Sequence, residues 1–158
     1  MNYTIRPIEK RDDAAVEGVI RACLIEYGAN HAGTAWADPD LCRFSEIYGE
    51  EGSAYFVAED EGGRIVGGVG IGILPGVDGV CELQKMYCLP EARGTGLAHT
   101  LITLALDYAR PFYTRVYLET LPQMHEAQRF YEKHGFQKCA AIGNTGHTAC
   151  DVCYILDL

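Results

Sequence analysis

Several functions are removed by what this chain has little of. No apolar run approaches the ~20 residues needed to cross a bilayer, and Met1-Asn2-Tyr3-Thr4-Ile5-Arg6 has no apolar signal core. A cytoplasmic protein with no membrane partner is the expectation. Cations are scarce: 13 Lys and Arg stand against 22 Asp and Glu, a net charge of −9. Nucleic-acid binding rests on neutralising phosphates with Lys and Arg, so nucleic acid is not an expected partner. No GxxxxGK[ST] occurs, which removes the phosphate-loop nucleotide hydrolases. Gly68-Val69-Gly70-Ile71-Gly72-Ile73 lacks the third glycine of GxGxxG and lies inside a strand pattern. Close backbone packing or a bulge accounts for it better than a nucleotide site.

A disulfide or metal framework is missing as well. The seven cysteines are odd in number and scattered among apolar neighbours. Cys150 and Cys153 form a lone CxxC in a strand pattern, where positions three apart face opposite ways. Buried structural thiols and no metal are expected.

A chain of 158 residues is read as one domain, 1–158, able to bury roughly two-thirds of its unfolded surface. Periodicity places strands near 3–7, 53–59, 64–73, 80–88, 114–119, 137–142 and 150–156. Helices are expected near 12–27, 38–48, 96–110 and 123–134, with Asp38-Pro39 as a cap and first helical residue. This order predicts a mixed α/β (α+β) fold. The central sheet is mostly antiparallel, with one parallel pair where the helix from Gly96 connects two strands, and helices cover both faces.

The most telling stretch is Met86-Tyr87-Cys88-Leu89-Pro90-Glu91-Ala92-Arg93-Gly94-Thr95-Gly96-Leu97-Ala98. A strand ends at a proline and turns through two glycines directly into a helix. Such a turn leaves main-chain N–H groups unpaired at a positive helix end, beside an arginine, which suits a phosphate. Arg93, Gly94, Thr95, Gly96, Leu97 and Ala98 are therefore the expected anchor of a phosphate-bearing ligand.

On these residues the chain resembles the GNAT superfamily of acyl-CoA-dependent N-acyltransferases. Arg93, Gly96 and Ala98 match its Q/R-x-x-G-x-G/A motif, and Ala127, Tyr131, Gly135 and Phe136 match its A-x-x-x-Y-x-x-x-G-F block. One departure is Met124, which stands where family members often carry an Asn that holds the pantetheine arm. The longer pattern around Glu82-Leu83-Gln84-Lys85-Met86-Tyr87 looks like a bacterial subgroup of uncharacterised acetyltransferases.

The resemblance implies a GNAT-like fold with a splayed parallel strand pair, acetyl-CoA as acyl donor, and direct transfer to a primary amine. It implies Glu82 as general base, the main-chain N–H of Met86 as oxyanion donor, and Tyr131 as general acid over the departing thiolate. Cys88 would pair through its backbone with the pantetheine amide, with Met86 and Tyr131 also touching the cofactor. Strand alternation puts Glu82, Gln84, Met86 and Cys88 on one face before any bulge, with Glu82 and Met86 about 13 Å apart. A bridging water between base and amine follows from that distance.

Other acceptor-side candidates come from the residues alone. His147, in the glycine-containing loop Gly143–Thr148, is an alternative base or substrate contact. His31 and Trp36, in a small-residue loop, could form a lid, and Gln84 shares the strand face of Glu82. The acceptor is a small-molecule or peptide amine of unspecified identity. A homodimer agrees with family habit. A silent acyl-CoA sensor that keeps the fold and transfers nothing is the alternative reading.

Overall fold

Alternation and helical spacing account for most of the elements, in a computed structural model that describes residues 2–143, 145 and 149–158. In chain order they are β1 (Thr4–Pro7), α1 (Asp13–Glu26), α2 (Phe44–Ile47), β2 (Ala54–Glu59), β3 (Ile65–Ile73) and β4 (Val80–Cys88). Then follow α3 (Leu97–Ala109), β5 (Arg115–Thr120), α4 (His125–Lys133), β6 (Gln137–Cys139) and β7 (Val152–Asp157).

Helix α1 buries Val16, Val19, Ile20, Cys23 and Leu24, the expected stripe. It closes where Gly28 enters the left-handed region at φ 68° and Ala29 N–H reaches the Leu24 carbonyl at 2.7 Å. Helix α3 buries Leu97, Leu101, Ile102, Ala105, Leu106 and Ala109. Each leucine so buried is worth roughly 1.5–3 kcal/mol in area removed from water.

Helix α2 is much shorter than the 38–48 span read from the sequence. Asp38 does not act as its cap, because its carboxylate pairs with Lys85 Nζ at 2.8 Å. The cap arrives from α1 instead: Asp13 accepts from Ser45 N–H at 2.9 Å and from Ser45 Oγ at 2.6 Å. Cys150 lies ahead of β7 rather than within it, and β6 stops at Cys139.

The strands form one seven-stranded sheet in the order β1-β2-β3-β4-β5-β7-β6. All neighbours are antiparallel except β4 and β5. Strand β3 is buried from Ile65 to Gly72, on both faces, with α1 and α3 packed against it. The parallel pair matches Val80 with Arg115, Cys81 with Val116 and Glu82 with Tyr117, and then stops. Beyond Glu82 the two strands part, leaving an open fork in the middle of the sheet.

Strand β4 also carries a bulge. Its pairing with β3 shifts by one between Gly68 and Gly70, so Lys85 and Met86 together face Val69. Lys85 sits there at φ 49°, alone among the described non-glycine residues in having a positive φ. That conformation costs an L-residue about 1–2 kcal/mol. The bulge resets the alternation: Tyr87, opposite Gly68, takes the face of Glu82 and Gln84, while Cys88, opposite Gly67, moves to the other face. The simple expectation that Cys88 shares the face of Glu82 is corrected accordingly.

Candidate active site

The fork opens onto a cavity with about 900 Å³ of non-protein space, part of it continuous with solvent. Glu82, Gln84, Met86, Tyr87 and Cys88 line one side; Glu119 and Leu121 line the opposite side, with Met124 and Tyr131 beyond. At the far end the cavity reaches Arg93, in the loop that starts α3. One hollow thus brings together residues from β4, β5, α4 and the glycine turn.

Glu82 is at the apex of the fork and only 8% exposed. Gln84 Nε2 donates to its Oε1 at 2.6 Å, and Tyr48 Oη donates to Gln84 Oε1 at 2.6 Å. The direction of this chain is forced at its end, because a carboxylate only accepts and so Gln84 must present its N–H there. Gln84, expected to face an acceptor, therefore has both polar ends engaged inside the protein. It can lie flat because Gly72 has no side chain; a Cβ at Gly72 would fall on its carboxamide.

Glu119 brings a second carboxylate to the cavity from β5, accepting from Tyr117 Oη at 2.7 Å and from Thr145 Oγ1. Its place follows from Tyr117 pairing with Glu82, a parallel register that no local pattern reveals. Tyr131 is 9% exposed and packs on Phe130, Phe136 and Tyr154. Burial, and then the neighbouring Cys88, push its phenol upward, so it stays protonated at neutral pH. Among the described residues, no group is hydrogen-bonded to the Tyr131 hydroxyl, which borders the cavity. Burial also pushes the Cys88 thiol up to about 11 and the Cys150 thiol up to about 12.

At the glycine turn, Gly94 and Gly96 have φ 73° and 87°, and α3 begins without a side-chain cap. The first main-chain donor satisfied by the helix is Thr100 N–H, which reaches Gly96 O at 3.1 Å. Among the described residues, no protein acceptor meets the N–H groups of Gly94, Thr95, Gly96, Leu97, Ala98 or His99. A Cβ at Gly94 or Gly96 would meet nothing within 4 Å, so the space beside these two glycines is open. The donors suit an anion.

Arg93 is placed differently from the simple expectation. Its fork pairs with Glu26 at the end of α1, at 2.7 and 2.8 Å, and lies over the Tyr27 ring. Its Nε donates to the Cys88 carbonyl at 3.0 Å. Arg93 thus ties the turn to α1 and to the end of β4, and half of the Cys88 backbone is already engaged. Leu89 N–H bonds Val66 O, so alternation turns the Cys88 N–H and C=O away from β3, toward the fork.

Met124 occupies the wall where the family's Asn was expected, its sulfur accepting from Thr120 Oγ1 at 3.6 Å. His31 is exposed, with Nδ1 2.7 Å from Ala32 O, and Trp36 is stacked under the Arg21 guanidinium. Neither lines the cavity; Thr34 and Ala35 from the same loop do. That loop is tied to the other side of the site by Ala149 N–H on Gly33 O, at 3.0 Å. His147, and most of the segment around it, lies outside the described residues. The sequence reading also missed Tyr48, Tyr55, Tyr87, Lys85 and Glu119. The only local hint was the same-face glycine run 68, 70, 72, which signals large side chains lying across the strand.

With this geometry in place, comparison with known proteins defines the class. The description "Acetyltransferase (GNAT) family" matches residues 21–136. The chain belongs to the GNAT acetyltransferase family. An uncharacterised N-acetyltransferase of Escherichia coli K12, YjgM, is 42% identical over 158 residues, covering 98% of this chain and 94% of YjgM. An uncharacterised N-acetyltransferase of Mycobacterium bovis is 36% identical over 73% of this chain and 74% of its own. Among solved structures, a GNAT acetyltransferase of Staphylococcus aureus superposes with a TM-score of 0.88 at 18% identity, over 99% of both chains. The yncA acetyltransferase of Salmonella typhimurium, solved with acetyl-CoA, gives 0.74 at 23% identity, over 100% of this chain and 95% of its own.

Proposed function

We propose that residues 1–158 act as one N-acetyltransferase domain, moving an acetyl group from acetyl-CoA to a primary amine by direct attack. The observation that carries this reading is the fork itself: a buried carboxylate at its apex, a buried phenol on its wall, and an uncapped helix start at its mouth. The free amides from Gly94 to His99 hold the diphosphate, and the Cys88 N–H pairs with the pantetheine arm, with Met124 adding apolar contact. A primary amine with pKa near 10 is almost wholly protonated at pH 7, and releasing its lone pair costs roughly 4 kcal/mol. Glu82 takes that proton, directly or through a water. The nitrogen then attacks the thioester carbon and a C–N bond forms. The C–S bond breaks as Tyr131 gives its proton to the sulfur, and the second proton shed by the new amide nitrogen returns to Tyr131 through solvent. Met86 N–H stabilises the charge that develops on the thioester oxygen.

The chemistry of the thiols supports direct attack. Cys88 and Cys150, raised to about 11 and 12, are almost entirely protonated at neutral pH and make poor nucleophiles for an acyl-cysteine intermediate. Glu82 and Glu119, on the two arms of the fork, favour an acceptor that arrives as a cation.

The test is thiol release from acetyl-CoA with a panel of small and peptide amines. Intersecting initial-velocity lines are expected, and Glu82→Gln and Tyr131→Phe should each lower kcat by about 10²–10⁴. Parallel lines, or full activity in either variant, would overturn the assigned roles. Tight acetyl-CoA binding with no turnover over the whole panel would make the protein a sensor.

A further inference from the structure

We propose that Tyr55 is a positioning residue for the transfer reaction, clamping the β4 bulge so that the Met86 N–H aims into the fork. The inference rests on the reading that Met86 N–H meets the thioester oxygen. It starts from the one described non-glycine residue at positive φ, Lys85, at 49° in the middle of the cavity wall. An L-residue keeps that conformation only where its surroundings hold it. Two ties do so here. Tyr55 Oη donates to the Lys85 carbonyl at 2.7 Å, and Lys85 Nζ pairs with Asp38 at 2.8 Å.

The direction of the first tie is what matters for chemistry. Tyr55 belongs to β2 and reaches β4 by crossing β3, so its hydroxyl stands on the β3 side of β4. A carbonyl drawn to that side sends the next N–H the opposite way, because a trans peptide holds C=O and N–H antiparallel. That N–H belongs to Met86. Met86 has no register partner in β3, so this geometry turns its N–H toward the side from which β5 has departed.

The path of Tyr55 exists because Gly68 has no side chain. A Cβ there would lie 2.6 Å from Tyr55 Cε1 and 2.8 Å from its Oη. The ring is 2% exposed and packed on Phe44 and Tyr48, at 5.0 and 5.3 Å between centroids. It is therefore rigid, and Tyr55→Phe removes the hydroxyl while leaving the packing in place. The glycine run that imitates a nucleotide motif is the floor over which this clamp and the Tyr48–Gln84 chain reach the active strand.

The experiment uses acetyl-CoA labelled with ¹³C at the acetyl carbonyl, read by infrared difference spectroscopy on the full chain. In the unaltered protein, binding should lower the carbonyl stretch. In Tyr55→Phe most of that shift should vanish, and kcat should fall ten- to a hundred-fold, somewhat less than the roughly 10²–10³ typical of deleting an oxyanion donor. KM for acetyl-CoA should change less than about two-fold, since the diphosphate and arm contacts are elsewhere. Adding Lys85→Gly to Tyr55→Phe should restore part of both the shift and kcat, because glycine reaches φ 49° without the steric penalty that an L-residue pays, a gain that outweighs the lost tie to Asp38. A structural role would not be rescued this way.

An unaltered protein that binds acetyl-CoA without any carbonyl shift would overturn the oxyanion role of Met86, and this inference with it. A shift present there and unchanged in Tyr55→Phe would overturn the clamp alone. Equal losses of binding, kcat and melting temperature, with no rescue by Lys85→Gly, would make Tyr55 a core residue only.

Discussion

Gln84 donates its carboxamide N–H to Glu82 across 2.6 Å, from two residues further along the same strand. Residues so spaced share a face, and Gln84 is itself oriented by the Tyr48 hydroxyl, 36 positions away in the sequence. The carboxylate at the apex of the fork is thereby held in one rotamer.

Removing this support should lower turnover without touching donor binding. Gln84→Leu should reduce kcat about ten-fold, the equivalent of one hydrogen bond to a charged group, with KM for acetyl-CoA unchanged. Tyr48→Phe, one step further back, should give a smaller loss in the same direction. Gly72→Ala should act like Gln84→Leu, since its methyl falls on the Gln84 carboxamide. Steady-state kinetics on the three variants check this order, and an unchanged kcat in Gln84→Leu would contradict it.

Acid stability should depend on Asp12. Arg6 donates to both of its oxygens, at 2.7 and 2.9 Å, and lowers its pKa against the opposing effect of burial. The group is depressed in the folded state, so its contribution is complete above the unfolded value and is lost as pH falls through the folded one. Melting temperature should therefore decline from about pH 4 downward. Asp12→Asn should cost about 1–3 kcal/mol at pH 7 and flatten that decline, as thermal melts across pH 2–7 would show.

Arg93 should act by holding the turn in place rather than by meeting the diphosphate with its charge. Arg93→Ala should weaken CoA and a pantetheine lacking the diphosphate by similar factors, and Glu26→Gln should reproduce part of the effect. The pair is partly exposed, so its stability effect should stay near 1 kcal/mol. Calorimetry with both ligands decides, and a loss confined to CoA would return the guanidinium to the diphosphate.

Gly96 should matter through its backbone. Alanine at φ 87° costs about 1–2 kcal/mol and turns the first amides of α3 away from one another. Gly96→Ala should lower the melting temperature and weaken CoA about ten-fold or more. Tight CoA binding in this variant would remove the glycine turn from the site.

Local patterns carried the fold a long way. The β4 span Val80–Cys88 has the bounds read from the sequence, and the glycine turn opens a helix with its amides free. What local pattern missed was distant. Asp38 looks like a cap for its own helix, yet the partner it meets is Lys85, 47 positions on, beside the bulge. Arg93 looks like an anion ligand, and the acid it meets is Glu26, 67 positions back.

From the sequence by itself came the elements, the order that forces one parallel pair, and the helix start, because each rests on preferences spanning a few neighbouring residues. Only the tertiary structure decided which side chains meet at the fork, where Glu119 arrives, and how Tyr55 and Tyr48 cross Gly68 and Gly70 toward β4. Those contacts join residues tens of positions apart, and their geometry depends on register and on a one-residue bulge. Pairing between strands settles both, and neither leaves a mark in the local run of residues.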